Sequence, residues 1–273
     1  MATVRTAEGA ELHWELRGEG PLVALALSPM TYPAVYEPII ADLAADHAVV
    51  TWDPRGTGSS SKAGPYEIET DARDLAVVIE AGMARDEVTG EDALVFAIPY
   101  GINVALALAS ERPELVFGVV SSGSIPVVRQ RFAAGDSLSG SESLTEMLLT
   151  QARTDWRGLL WSMITTANPQ LDEAGVRERV NGTAEYLPQE VAIARGESWL
   201  ADAEAEAEAR ARALGDRLVL ATGGENPWLP TDALEIARSV LPEAVLEQTD
   251  GGPVSRPDLA AALVRRTTVR VLR

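Results

Sequence analysis

Residues 94–109 read Leu-Val-Phe-Ala-Ile-Pro-Tyr-Gly-Ile-Asn-Val-Ala-Leu-Ala-Leu-Ala. An apolar run enters a turn containing Pro99 and Gly101 and leaves as a run of small, helix-favouring residues. A strand apolar on both faces has to be covered on both faces, so this unit belongs to a layered sheet with helices above and below.

The rest of the chain repeats the theme. Residues 2–6 and 11–17 flank a Glu-Gly-Ala-Glu turn and predict a hairpin, and Leu22–Leu27 is a second continuous apolar run. Tyr36, Ile39, Ile40 and Leu43 recur at helical spacing before a strand over Ala48–Trp52. An amphipathic helix over Asp71–Met83, a strand over Ala93–Ala97, a helix over Asn103–Ser110 and a strand over Leu115–Ser121 follow. From 125 to 214 only helical patterns occur, with Trp156, Trp161, Met163 and Trp199 among them. Alternation resumes at Leu218–Ala221, Asp232–Leu241, Ala244–Gln248 and Pro257–Arg266. The stretch from Asp202 to Arg212 places Glu206/Arg210 and Glu208/Arg212 at the favourable i,i+4 spacing, the signature of a solvated helix face.

Composition narrows the partners. With 23 basic and 41 acidic residues the net charge is −18. That argues against nucleic acid or an anionic membrane surface, since either requires a basic patch. The absence of cysteine removes disulfides, thiolate metal sites and a Cys nucleophile. The first residues, Met-Ala-Thr-Val-Arg-Thr, contain no apolar leader segment, and no run approaches the roughly 18 apolar residues of a membrane span. A cytoplasmic location is the expectation. No G-x-G-x-x-G follows the first long strand, no P-loop is present and no H-E-x-x-H occurs, so no cofactor and no metal is expected. The expected partner is an apolar small molecule, and assembly with further copies of the chain stays open.

Five segments in order and at spacing carry a specific resemblance. They are Leu25-Ala-Leu-Ser-Pro-Met30, Thr51-Trp-Asp-Pro-Arg-Gly-Thr-Gly-Ser-Ser60, the 94–109 unit, Leu220-Ala-Thr-Gly-Gly-Glu-Asn-Pro-Trp-Leu-Pro230, and Asp250-Gly-Gly-Pro-Val-Ser-Arg-Pro-Asp258. Together they resemble the α/β-hydrolase superfamily over nearly the whole chain. The resemblance implies an α/β fold with a mostly parallel eight-stranded sheet, helices on both faces and a helical lid. Residues 1–124 and 215–273 would form the core and 125–214 the lid. It also implies a strand–turn–helix nucleophile elbow of the G-x-S-x-G type. Ending that motif at Gly101 places Pro99 at the serine.

Carrying the other functional positions over gives a consistent departure. The acid position falls on Asn226, and the histidine position falls on Asp250 or the glycine beside it. The two histidines, His13 and His47, lie in the N-terminal part of the sheet. Serine nucleophiles need a base to take the proton and a group to orient that base, so a member lacking the Ser-His-Asp triad is the expectation. Proline holds φ near about −65°, which also excludes the usual strained elbow. It suggests a strand extended through Ile98 and a helix starting on Pro99 itself.

Tyr100, Asn226 and Asp250 are the candidate catalytic residues. Tyr100 offers a phenol and, with Met30, a backbone N–H at an oxyanion-donor position; the alternative is a packed tyrosine at a helix start. Asn226 can orient a carbonyl, or merely bind local backbone. Asp250 can act as acid or base if burial raises its pKa, or be a turn residue in Asp-Gly-Gly. Ser28, Met30, Tyr32, Pro99, Trp156, Trp161 and Trp228 are the candidate substrate contacts, although aromatic residues of a lid more often serve its core than a ligand. Asp53 and Arg55 resemble the superfamily's structural loop. The resulting expectation is a non-hydrolytic enzyme promoting cyclisation or cycloaddition, isomerisation or elimination of an apolar molecule, in natural-product biosynthesis. A binding-only sensor or carrier and a hydrolase with an unrecognised triad are the alternatives.

Overall fold

The computed structural model describes residues 2–27, 32–127, 144–201, 204–223, 226, 229 and 231–271. Ser28, Met30 and Trp228, three of the expected contacts, lie outside them.

The hairpin forms from β1 (Ala2–Arg5) and β2 (Glu11–Arg17), antiparallel with Thr3 opposite His13. The remaining strands are β3 (Gly20–Ala26), β4 (Ala48–Trp52), β5 (Val88–Ala97), β6 (Val116–Ser122), β7 (Leu218–Gly223) and β8 (Val245–Thr249). One eight-stranded sheet results, in the order β1-β2-β4-β3-β5-β6-β7-β8, parallel from β4 to β8. The helices α1 (Glu37–Leu43), α2 (Ile68–Met83), α3 (Gly101–Glu111), α9 (Ala233–Val240) and α10 (Pro257–Val271) cover it.

The continuous apolar runs have a simple geometric reason. Successive side chains on a strand point to opposite faces, and here both faces are cores. In β3, Leu22, Ala24 and Ala26 face α2 and α3, whereas Val23 and Leu25 face α1 and α10. In β5, Ala93, Val95 and Ala97 take the first side and Leu94 and Phe96 the second. Small residues on the first side let α3 approach closely.

Between β6 and β7 the described elements are helices: α4 (Leu144–Thr154), α5 (Trp156–Ala167), α6 (Glu173–Tyr186), α7 (Gln189–Ala201) and α8 (Glu204–Leu214). Asp155 and Asp172 cap α5 and α6, each accepting the N–H of the glycine three residues on, at 2.9 and 2.8 Å. These helices own a third core built on Trp156, Leu159, Leu160, Val176, Val180, Leu187 and Val191. The helix α8 turns back to the sheet, where Ala211 and Leu214 join the α2/α3 side. Its Glu206–Arg210 and Glu208–Arg212 pairs form at 2.5 and 2.9 Å. No helix among the described residues is long and apolar enough to cross a membrane.

Candidate functional site

At the carboxyl end of β5, the Ile98 N–H still donates to the Ala26 carbonyl of β3 at 3.1 Å, so the strand is paired up to the turn. Pro99 follows, half-buried. The chain then reverses at Tyr100, with φ 72° and ψ −50°. This is the classic γ-turn conformation, which is rare and strained. Tyr100 is the one non-glycine residue with positive φ among the described residues. The helix α3 therefore begins at Gly101, which corrects the expectation that it begins on Pro99. The proline ring cannot supply the positive φ that the reversal needs, so the strained strand-to-helix position, where an elbow of this type carries its nucleophile, falls on Tyr100 and not on Pro99. Gly101 is required: a Cβ there would lie 1.8 Å from the Ala26 carbonyl oxygen.

The Tyr100 side chain runs into a buried polar cluster. Its hydroxyl donates to Asp71 Oδ2 at 3.0 Å, from the first turn of α2. Arg195 of α7 donates to the same hydroxyl at 3.1 Å, pairs directly with Asp71, and donates to the Arg55 carbonyl at 2.6 Å. Its guanidinium lies 5.8 Å from the centroids of both the Tyr66 and Tyr100 rings, within cation–π reach. Asp71 is 1% and Arg195 2% exposed. Burial pulls the Arg195 guanidinium down to about 10. Next to this cluster, Arg55 forks onto Asp74 at 2.7 and 2.9 Å and reaches Glu8 at 3.0 Å. The Asp74 hydrogen bond raises Arg55, while burial pushes the Asp74 carboxyl up against that pairing.

The loop after β4 is a scaffold. Asp53 accepts the Ser59 N–H at 2.9 Å, and a Cβ on Gly58, at φ +44°, would collide with that carboxylate. The α6–α7 helices dock on this loop. The Gly58 N–H donates to the Tyr186 carbonyl at 3.0 Å, and Val191 packs where a Cβ on Gly56 would sit. Buried beside Thr57 and Asp53, the Tyr186 phenol is held well above its ordinary range, burial being the main cause.

The three expected catalytic residues have different partners. Asn226 donates its amide to the Gly123 carbonyl at 3.0 Å and to Thr222 Oγ1 at 3.3 Å, bridging the ends of β6 and β7. Asp250 has a side chain 99% exposed and meets Arg256 at 3.4 Å, so the burial expected of it is absent. Tyr32 is half-buried against α6, its ring 3.0 Å from where a Cβ on Gly182 would be. Trp156 is buried in the core of the helical insertion, whereas Trp161 is 37% exposed. The Ser121, Ser122 and Ser124 hydroxyl groups are buried where β6 ends, with Ser121 donating to the Ser124 carbonyl at 2.9 Å. His47 is buried at the opposite, N-terminal end of β4, its Nδ1 2.8 Å from Asp46. Among the described residues no group of three or more His, Asp or Glu side chains is arranged to hold a metal ion.

Sequence reasoning missed Asp71 and Arg195. One signal was present: Asp71 and Asp74 lie three apart on the same helix face as Ile68, Leu75 and Val78, all buried. Two carboxylates on a buried face require cationic partners.

Strand order, the β5–α3 reversal at the carboxyl edge and the helical insertion after β6 together define the α/β-hydrolase fold. No protein-family model matches the chain. Among curated relatives, the "Putative carbamate hydrolase RutD" of Azorhizobium caulinodans is 34% identical over 108 residues, 39% of this chain and 38% of that protein. The "Uncharacterized hydrolase YraK" of Bacillus subtilis is 25% identical over 184 residues, 66% of this chain and 64% of that one. The chain thus spans less than two thirds of the length of both. The RutD protein of Caulobacter segnis is 26% identical over 265 residues, covering 92% of this chain and 91% of its own. Solved structures agree on the fold. An esterase from Exiguobacterium antarcticum superposes with TM-score 0.76 at 16% identity, covering 97% of this chain and 98% of its own. An E-2-(acetamidomethylene)succinate hydrolase gives 0.74 at 16% identity, with 98% of each chain covered.

Proposed function

We propose that the chain is an enzyme acting on a carbonyl-containing small molecule at the carboxyl edge of the sheet, with no covalent intermediate on residue 99. The observation that carries this reading is the Pro99–Tyr100 turn. Pro99 offers a ring without a nucleophile, and the strained conformation falls on Tyr100, whose phenol is engaged by Asp71 and Arg195. Strain at a turn that the surrounding structure over-determines points to a working site.

Two chemistries fit this edge. The relatives' names favour hydrolysis: they include carbamate hydrolases and esterases. Hydrolysis here would draw on groups other than those at the superfamily's triad positions. Pro99, Asn226 and an exposed Asp250 at those positions favour a non-hydrolytic reaction instead, namely cyclisation, isomerisation or elimination. Holding a substrate in a reactive conformer and polarising its carbonyl suffices for these. Natural-product biosynthesis is the setting in which such reactions of apolar molecules belong.

The test is turnover of a panel of p-nitrophenyl esters, lactones and carbamates by the wild type and by Pro99→Ser. The non-hydrolytic reading expects neither protein to turn over any member above buffer. Saturable hydrolysis by the wild type assigns the chain to hydrolysis. Turnover gained only by Pro99→Ser reveals an intact base and acid and overturns the assignment of the lost positions.

A further inference from the structure

Arg195 is a costly residue for merely holding a helix in place. Its charge is buried, its Nε has no hydrogen-bond partner among the described residues, and neither does Asp71 Oδ1. A buried ion pair with unmet hydrogen bonds holds two elements together less strongly than apolar side chains of similar volume would. What the guanidinium does that an apolar side chain cannot is bind three separate core elements at once. These are the Asp71 carboxylate of α2, the Arg55 carbonyl after β4, and the phenol of Tyr100 at the β5–α3 turn.

We propose that Arg195 is a positioning residue that ties the docking of α7 to the strained Tyr100 turn, through the phenol and Asp71, so that the edge of the crevice is set only when the helical insertion is seated. A non-glycine residue at positive φ persists only where its surroundings hold it. On the helix side Gly101 is locked against the Ala26 carbonyl. On the strand side Ile98 is paired to the same carbonyl. Tyr100 itself is held through its carbonyl, which accepts the Asn103 N–H at 3.0 Å, and through its phenol, which Asp71 of α2 and Arg195 of α7 both engage. Undocking α7 rehydrates Arg195 and Asp71, which lowers the cost of opening. It simultaneously removes one of the phenol's partners. Seating of the insertion and conformation of the turn are thereby two sides of one equilibrium, and each biases the other.

This coupling rests on the reading of the carboxyl edge as the working crevice. Its test involves no turnover, so failure of one is distinguishable from failure of the other. Amide hydrogen exchange is measured in the full chain for wild type, Arg195→Met, Tyr100→Phe and Arg195→Lys. Arg195→Met and Tyr100→Phe are each expected to raise exchange of the hydrogen-bonded amides of Ile98 and Asn103 by about tenfold or more, the scale of one lost hydrogen bond to a charged group. Exchange at 93–97 in β5 stays unchanged. Arg195→Lys keeps a cation for Asp71 and the phenol, and is expected to restore protection at the turn. Since Arg195→Met leaves Asp71 buried and unpaired, Arg195→Met/Asp71→Leu is measured in parallel. Without a buried charge to satisfy, it keeps the fold and still loosens the turn. A rise confined to α7, or an equal rise through the whole sheet, overturns the proposal.

Discussion

Replacing Gly101 by alanine tests the lock at the centre of the site. The added methyl carbon would stand 1.8 Å from the Ala26 carbonyl oxygen and 2.6 Å from its carbonyl carbon, where ordinary contact starts at 3.4 Å. Both obstructing atoms are backbone, and that carbonyl also accepts the Ile98 N–H. No rotamer change relieves the clash; α3 must move away from β3, or the β3–β5 pairing must open. Overpacking generally costs about 1–3 kcal/mol, and a backbone obstacle places this case at or above the upper figure. Better helix propensity returns at most about 1 kcal/mol. A net loss of at least about 2 kcal/mol is expected, which for a chain of this size lowers Tm by roughly 4–8 °C. Gly252→Ala is the control. Nothing lies within 4 Å of a Cβ there, and the change should stay within about 0.5 kcal/mol. Thermal unfolding followed by circular dichroism measures both. A shift below about 2 °C in Gly101→Ala would show that α3 slides freely over β3, and the account of the locked turn would fail.

Asp74→Ala removes the buried partner of Arg55 and leaves its guanidinium only the exposed Glu8 carboxylate and the Thr6 hydroxyl, and should cost up to about 3–5 kcal/mol in chemical denaturation. Arg55→Met/Asp74→Leu should recover most of that loss, because the pair is removed together. Asp46, whose carboxyl is held below the ordinary 3.8 chiefly by Arg265 and further by His47, contributes stability above its free value and loses it as pH falls through the lowered one. Asp46→Asn should therefore flatten the decline in stability below about pH 4. At pH 7 it should cost less than about 1 kcal/mol, since the carboxylate is half-exposed. Asp250→Asn should leave stability within about 0.5 kcal/mol and leave turnover of any substrate found unchanged. A fall in kcat would return Asp250 to the catalytic set.

The architecture was largely legible because its code is local. A strand covered on both faces leaves a continuous apolar run, and β4 occupies the very span, Ala48–Trp52, that its run predicts. Where the code weakens, so do the boundaries. β5 begins at Val88 rather than Ala93, because its first residues are polar and largely exposed and carry no apolar signal. The start of α3 was displaced for a different reason. Proline suits the first turn of a helix, but the reversal after it demands a positive φ, and only the three-dimensional course of β5 into α3 imposes that demand. The site was less legible than the fold. Pro99, Asn226 and Asp250 are singled out only by the resemblance to the superfamily. The partners that grip Tyr100 are not, since Arg195 and Asp71 are 124 residues apart and no periodicity links them. Trp156 shows the same limit: an aromatic residue in a helical insertion can serve its own core or a ligand, and the fold uses it for the core.

The central claim is that no covalent intermediate forms on this elbow. Intact-mass spectrometry after incubation with a fluorophosphonate, which captures activated serine nucleophiles, tests it most directly. An unchanged mass after prolonged exposure is the expected result. Stoichiometric addition of one phosphonyl group, mapped to any serine at the carboxyl edge of the sheet, would contradict it.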